Sequence, residues 1–200
     1  MSFGIALAGG GIRGAAHVGV LLALEENGLR PDAIAGTSAG GIAAGLYASG
    51  MTARDLQKFV LDLPGRAASF FDPDIPGLFT LIPELLFHRS SLLSGIIKGD
   101  RMERFFFELT RGMRVSEAGM RVVIPSVDLC SGKTVAFTNT LKGVRPLKRV
   151  QWDSSPLLSE AMRATSAVPA VFRPKLMNCM CLVDGGVTDV LPVDLLVAAG

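Results

Sequence analysis

The sequence predicts a three-layer α/β/α domain on a mainly parallel central sheet. Its first fifty residues alternate short apolar runs with helix-like segments, in the order strand–helix–strand–helix, which opens a parallel sheet. Hydrophobic residues make up 49% of the 200 positions and charged ones only 19%, with a mean hydropathy of +0.42. Such a surplus suits strands covered on both faces. Two hundred residues also suit one domain with a real core, so residues 1–200 read as a single unit.

Taken in order, Phe3 to Ala8 is a short apolar strand, and Gly9-Gly10-Gly11-Ile12-Arg13-Gly14 follows it. A helix from about Ala15 to Glu26 stops at Asn27-Gly28, a normal C-terminal signal, with Ala15, Val18, Leu21, Leu22 and Leu24 on its apolar face. Pro31-Asp32 restarts the chain, and Ala33 to Ala35 read as the end of a buried strand. A small-residue helix runs from Gly41 to Ser49. Thr52 reads as the N-cap of a helix through about Leu63, ended by Pro64-Gly65. From there to Gly99 the periodicity breaks down. Phe70 to Phe87 is aromatic and punctuated by proline, which fits an irregular helical insertion or, more sharply, a lid or acyl-chain surface. Asp100 to Thr110 is a helix, Arg121 to Leu129 a strand, and Thr134 to Thr138 its partner across the Ser131-Gly132-Lys133 turn. Pro156 to Ala164 suits a helix, and Lys175 to Val183 a strand ending in Asp184-Gly185-Gly186. Pro192 to Ala199 begins another helix.

Composition excludes several classes. No apolar run approaches the ~18 residues that span a bilayer. A net charge of +2 makes no electrostatic case for nucleic acid. Cys130, Cys179 and Cys181 form no disulfide framework, which fits a reducing compartment, and the Cys179/Cys181 pair reads as buried apolar thiols and not a metal site. Met1-Ser2-Phe3 runs straight into the first strand without a signal peptide, so a cytoplasmic or peripherally membrane-associated location is expected.

Gly36-Thr37-Ser38-Ala39-Gly40 fits G-x-S-x-G between a strand and a helix, the context of a nucleophile elbow. Such a turn holds the serine in a strained backbone, and glycines on either side let strand and helix approach it. The helix behind it offers free N–H groups and a positive dipole end to a developing oxyanion. The glycine cluster Gly9-x-Gly11-x-x-Gly14 also satisfies a dinucleotide fingerprint, but that reading wants an acidic residue at the end of the second strand. Asp32 precedes that strand instead, and Gly36-Thr37-Ser38 ends it.

A serine hydroxyl needs a base. Only His17 and His88 are available as histidines, and neither supports the Ser–acid–His order of other α/β hydrolases. Asp184 ends an apolar strand as Ser38 does, and side chains at the C-terminal ends of parallel strands can meet in one crevice. Partial desolvation would make its carboxylate a stronger base.

The glycine loop from Gly9 to Gly14, the Gly36-to-Gly40 pentapeptide and Asp184-Gly185-Gly186 together resemble the patatin-like phospholipase family from Phe3 to about Pro192. Ala164-Thr165-Ser166-Ala167-Val168-Pro169-Ala170-Val171-Phe172 resembles the segment before its D-G-G strand. The resemblance implies a lipid acyl hydrolase with a Ser–Asp dyad, Ser38 as nucleophile and Asp184 as base. It implies an oxyanion hole in the loop of Gly9, Gly10, Gly11, Arg13 and Gly14, chiefly the N–H groups of Gly10 and Gly11. It further implies a phospholipid substrate met at a membrane surface, with no metal or organic cofactor. Two departures stand out. The family commonly continues beyond D-G-G, so the domain is expected to be incomplete at its C-terminus. Asp189 stands where an asparagine is frequent.

Overall fold

The computed structural model describes residues 2–70, 72 and 95–200. A seven-stranded mixed sheet runs through it. Strands β1 (Gly4–Leu7), β2 (Ala33–Gly36) and β3 (Arg121–Asp128) are parallel neighbours. Strand β4 (Lys133–Thr138) returns antiparallel along β3, and β5 (Val150–Asp153) lies parallel to β4. Strands β6 (Lys175–Met177) and β7 (Met180–Asp184) form a hairpin whose second arm pairs antiparallel with β3.

The eight residues of β3 are shared along one edge. Its first three pair with β2 and its last three with β7, while β4 occupies the opposite edge. Strands β2 and β7 therefore run toward each other, with Ala35 opposite Val123 and Asp184 opposite Ser126. Ser38 and Asp184 are thus brought together end to end, not side by side as parallel strand ends would be. The sequence expectation of parallel strand ends side by side is corrected: β7 is antiparallel to β3, so its end faces that of β2.

Alternation along the strands makes two unequal faces. Ile34, Val122, Ile124, Val135 and Phe137 join the larger core. There they meet helices α1 (Ala15–Glu26), α2 (Ala39–Ala48), α3 (Ala53–Phe70), α4 (Asp100–Leu109) and α5 (Leu158–Thr165). Ala35, Val123 and Ala136 face the other way, against Leu195, Leu196 and Ala199 of α6 (Val193–Ala199). This is the expected three-layer arrangement. Helix α2 is buried over most of its length, as expected of a helix apolar all round. Its small residues admit close neighbours: a Cβ on Gly41 would sit 2.6 Å from the Thr165 methyl, and one on Gly45 2.7 Å from the Met162 sulfur.

Several boundaries differ from the sequence reading. Helix α3 runs through Pro64-Gly65 to Phe70. Pro64 is exposed, so water can take the backbone bond its ring cannot supply. Ala15 is exposed, leaving Val18 and Leu21 as the fully buried part of α1. The single strand expected over Lys175 to Val183 is a hairpin. Asn178 and Cys179 both take positive φ, 47° and 59°, the signature of a two-residue turn that matches strand twist. That turn lifts Cys179 into solvent. Cys181 is only half-buried, so this pair of thiols is not the buried pair expected, and Cys130 is exposed as well. Strand β5 was not anticipated, because a four-residue, half-exposed edge strand carries little pattern. Most of the Phe70-to-Phe87 segment, and His88, lie outside the described residues.

Candidate active site

Strand β2 ends at Gly36, and two residues later the chain enters α2. Ser38, between them, has φ 54° and ψ −122°. A residue with a side chain pays about 1–3 kcal/mol for such a conformation. The strain is local in origin. A Cβ on Gly36 would collide with the Gly40 carbonyl, and one on Gly40 with the Leu7 carbonyl. The turn is tight enough to close only with glycine at both positions. Ser38 is 8% exposed, and its hydroxyl makes no capping bond to α2, which leaves it free for other work. The Ser38 N–H donates to Thr165 Oγ1 at 3.1 Å, and its carbonyl accepts from the Ile42 N–H at 2.9 Å.

The glycine loop passes beside this turn. A Cβ on Gly9 would lie 3.4 Å from the Ser38 Cβ, and one on Gly14 2.5 Å from the Ala39 Cβ. Gly11 takes φ 54° and opens a short 3₁₀ turn, Gly11–Gly14. The N–H groups of the loop differ in availability. That of Gly9 donates to the Val190 carbonyl at 2.8 Å and that of Arg13 to the Gly10 carbonyl at 3.2 Å. Among the described residues no acceptor engages the N–H of Gly10 or Gly11. Gly9 is therefore a spacer and an anchor, not a free donor. The Arg13 side chain is exposed. His17 donates from Nε2 to the carbonyl of Ala8, the residue before the glycine loop, at 2.8 Å.

Asp184 closes the site from the other side. It is 5% exposed, and its Oδ1 accepts the Gly186 N–H at 2.7 Å. Burial pushes its carboxyl above the ordinary value of 3.8, while hydrogen bonding from the Ser38 side chain and the Gly186 N–H pulls the other way. The Asp184 N–H donates to the Ala167 carbonyl at 2.9 Å. Gly185 is needed for close approach, since a Cβ there would sit 2.5 Å from the Pro125 carbonyl oxygen. The segment after Gly186 then ties the parts together. Thr37 Oγ1 donates to the Asp189 carbonyl at 2.9 Å, and Val190 receives the Gly9 N–H. Asp189 accepts the Leu191 N–H at 3.2 Å, and burial pushes its own carboxyl up.

Every site residue named from the sequence lies in this one region, on three segments: Gly9 to Gly14, Gly36 to Gly40, and Asp184. Asp32 lies at the opposite end of β2, bonded to the Phe3 N–H at 3.0 Å, away from the glycine loop. The Ala164-to-Phe172 stretch stands out in the sequence, but the bonding of Thr165 and Ala167 within it, and of Val190, does not. Their contributions are bonds between distant segments, which leave no local pattern. Exposed apolar side chains flank the region: Ile12 at 93%, Val187 and Val190 at 53%, and Leu191 at 48%.

Fold and site define the class: a three-layer α/β domain in which a strained strand-to-helix serine meets a buried carboxylate beside a glycine loop. The chain belongs to the patatin-like phospholipase family, whose model matches residues 5–197. A Bacillus subtilis protein, YqhO, is 28% identical over 199 residues, covering 92% of this chain and 63% of its own. The NTE family protein Rv1063c of Mycobacterium tuberculosis is 27% identical, covering 94% and 44%. The lysophospholipase NTE1 of Yarrowia lipolytica is 27% identical over all of this chain and 12% of its own. The chain thus spans less than two thirds of these relatives. The crystal structure of VipD from Legionella pneumophila superposes with a TM-score of 0.61 at 14% identity, over 94% of this chain and 46% of that one, a likeness of fold. Among the described residues no helix is long and apolar enough to cross a membrane.

Proposed function

We propose that this protein is a lipid acyl hydrolase that cleaves carboxylic esters of phospholipids through an acyl-Ser38 intermediate, with Asp184 as general base. The observation that carries the reading is Ser38 itself. A serine pays for a strained backbone and leaves its hydroxyl uncapped beside a buried carboxylate. Family membership and the lysophospholipase relative support lipid as substrate.

In this mechanism the Asp184 carboxylate takes the Ser38 hydroxyl proton as Oγ forms a bond to the ester carbonyl carbon. The carbonyl π electrons move to oxygen, and the N–H groups of Gly10 and Gly11 stabilise that oxyanion. The C–O bond to the glycerol oxygen then breaks, and Asp184 returns its proton to the leaving alkoxide. Water then attacks the acyl-serine carbonyl as Asp184 takes one of its protons; the bond between the acyl carbon and Ser38 Oγ breaks, Asp184 returns the proton to Ser38 Oγ, and the fatty acid leaves. Burial of Asp184 raises its basicity, and neither step requires a metal or organic cofactor in this reading. Thr37, Ala39 and the flanking Gly36 and Gly40 hold the elbow, with Gly9 and Gly14 spacing the loop and Arg13 beside it. Ile12, Val187, Val190 and Leu191 suit transient contact with a membrane surface.

The same dyad would serve a lysophospholipase, a neutral-lipid lipase or an acyl thioesterase. A noncatalytic lipid- or nucleotide-binding module is the reading from another class, and the position of Asp32 argues against its nucleotide form. The test is fatty acid release from mixed phospholipid vesicles by wild type, Ser38→Ala, Asp184→Asn and His17→Ala, each shown to fold. Loss in the first two variants and retention in His17→Ala is expected. A folded wild type that resists covalent labelling by a fluorophosphonate at Ser38 would refute the hydrolase.

A further inference from the structure

Ser38 and Asp184 lie 146 positions apart, yet their backbone N–H groups are held by one three-residue segment. Thr165 Oγ1 accepts the Ser38 N–H at 3.1 Å, and the Ala167 carbonyl accepts the Asp184 N–H at 2.9 Å. Thr165 is the last residue of α5 and is fully buried. A buried hydroxyl in a helix ordinarily bonds a carbonyl of its own preceding turn. Ser166 does so, donating to the Met162 carbonyl at 2.7 Å. Thr165 acts as an acceptor, its oxygen taking the N–H of a residue 127 positions away.

The partner it chooses is informative. Ser38 is the residue whose φ of 54° must be maintained, and an N–H at the entrance to a strained turn is where a single bond fixes the peptide plane. The fit is reciprocal, because Gly41 leaves room for the Thr165 methyl, with only 2.6 Å between that methyl and a Cβ built there. The support is itself anchored. Arg163, two residues before the segment and nearly fully buried, donates from Nη2 to the Lys98 carbonyl at 2.6 Å and the Arg173 carbonyl at 2.7 Å.

We infer that Thr165 is a positioning residue: the Thr165-to-Ala167 segment sets the register of Ser38 against Asp184, and the Thr165 hydroxyl holds the Ser38 peptide. This rests on the acyl hydrolase reading above for its catalytic consequence, but not for its structural one. No reacting atom touches Thr165. Its effect passes through the placement of Ser38 Oγ, where a displacement near 1 Å can cost about 10²-fold in rate.

The test compares wild type with Thr165→Val and Thr165→Ser. Valine keeps the shape and removes the acceptor; serine keeps the acceptor and removes the methyl. Two readouts are taken: steady-state hydrolysis of p-nitrophenyl butyrate, a soluble ester, and hydrogen exchange at the Ser38 amide. Thr165→Val is expected to lower kcat about 10- to 100-fold with KM unchanged and to speed exchange at Ser38. Thr165→Ser is expected to restore kcat and slow exchange. Equal kcat in all three proteins with unchanged exchange overturns the inference. So does equal loss in both variants, which would assign Thr165 to packing against Gly41. If wild type does not hydrolyse the ester, the functional reading fails, and amide exchange alone still decides whether the Thr165 hydroxyl holds Ser38.

Discussion

The two strand ends that meet in the site solve opposite problems. At the end of β2 the chain is strained and the side chain is not spent on its own helix: Ser38 has positive φ and a hydroxyl that makes no cap bond but turns to Asp184. At the end of β7 the backbone is ordinary, with φ −47° and ψ 131°, and the side chain is committed to the Gly186 N–H. One end stores its cost in dihedral angles, the other in desolvation of a carboxylate. The difference suits the proposed chemistry. A nucleophile must project where a substrate can reach it, whereas a base gains strength from dry surroundings.

Asp184→Asn breaks the carboxylate end. Loss of the base is expected to lower fatty acid release about 10³-fold. Stability should move the other way. The folded carboxyl titrates above the 3.8 of the unfolded chain, so the folded state holds the proton longer as pH rises. Stability from this group is complete below about pH 4 and declines through the folded pKa. The amide does not ionise, so thermal unfolding at pH 7 should show Asp184→Asn as stable as wild type or more so. Wild-type activity should fall on acidification with a midpoint above the ordinary carboxylate value, read from a pH–rate profile.

Gly36→Ala attacks the strained end through its packing. The new methyl meets the Gly40 carbonyl, a backbone atom that cannot rotate away. A loss of about 3 kcal/mol in urea unfolding is expected, with activity falling alongside. Ser38→Gly relieves the same end. It removes the proposed nucleophile but also the side-chain penalty at positive φ, and a gain of up to about 1 kcal/mol should appear as a higher Tm. A Tm below wild type would show that the turn is not strained.

The smallest effect sharpens the comparison away from the site. Cys179, like Ser38, has a side chain at positive φ, here 59°, but at a hairpin turn where no chemistry is proposed. Cys179→Gly should stabilise by about 0.5 kcal/mol with activity unchanged. Strain at that turn is expected to be removable at no functional cost, unlike strain at the proposed nucleophile Ser38.

How much was legible in the sequence follows from the range of each interaction. The elbow is a local object. Gly36 fits against Gly40 within five residues, so the pentapeptide could be read directly, although the demand for glycine at position 40 itself comes from Leu7 on β1. The β1–α1–β2–α2 order and the extent of α1 were equally local, and Thr52 caps α3 as expected through reciprocal bonds with Asp55. Short and exposed features were harder. Strand β5 and the Asn178-Cys179 turn carry too few residues to show a period, and Pro64 stops a helix only where its missing bond must be met inside protein.

By itself the sequence determined the family, the layered α/β class and the chemistry available at each strand end, because these depend on residue type and close spacing. Tertiary structure alone decided that β7 meets β2 head to head along β3, that Gly9 spends its N–H on Val190, and that Thr165 and Ala167 hold Ser38 and Asp184. Each joins segments far apart in the chain, and only the folded sheet brings their donors and acceptors within 3.1 Å or less.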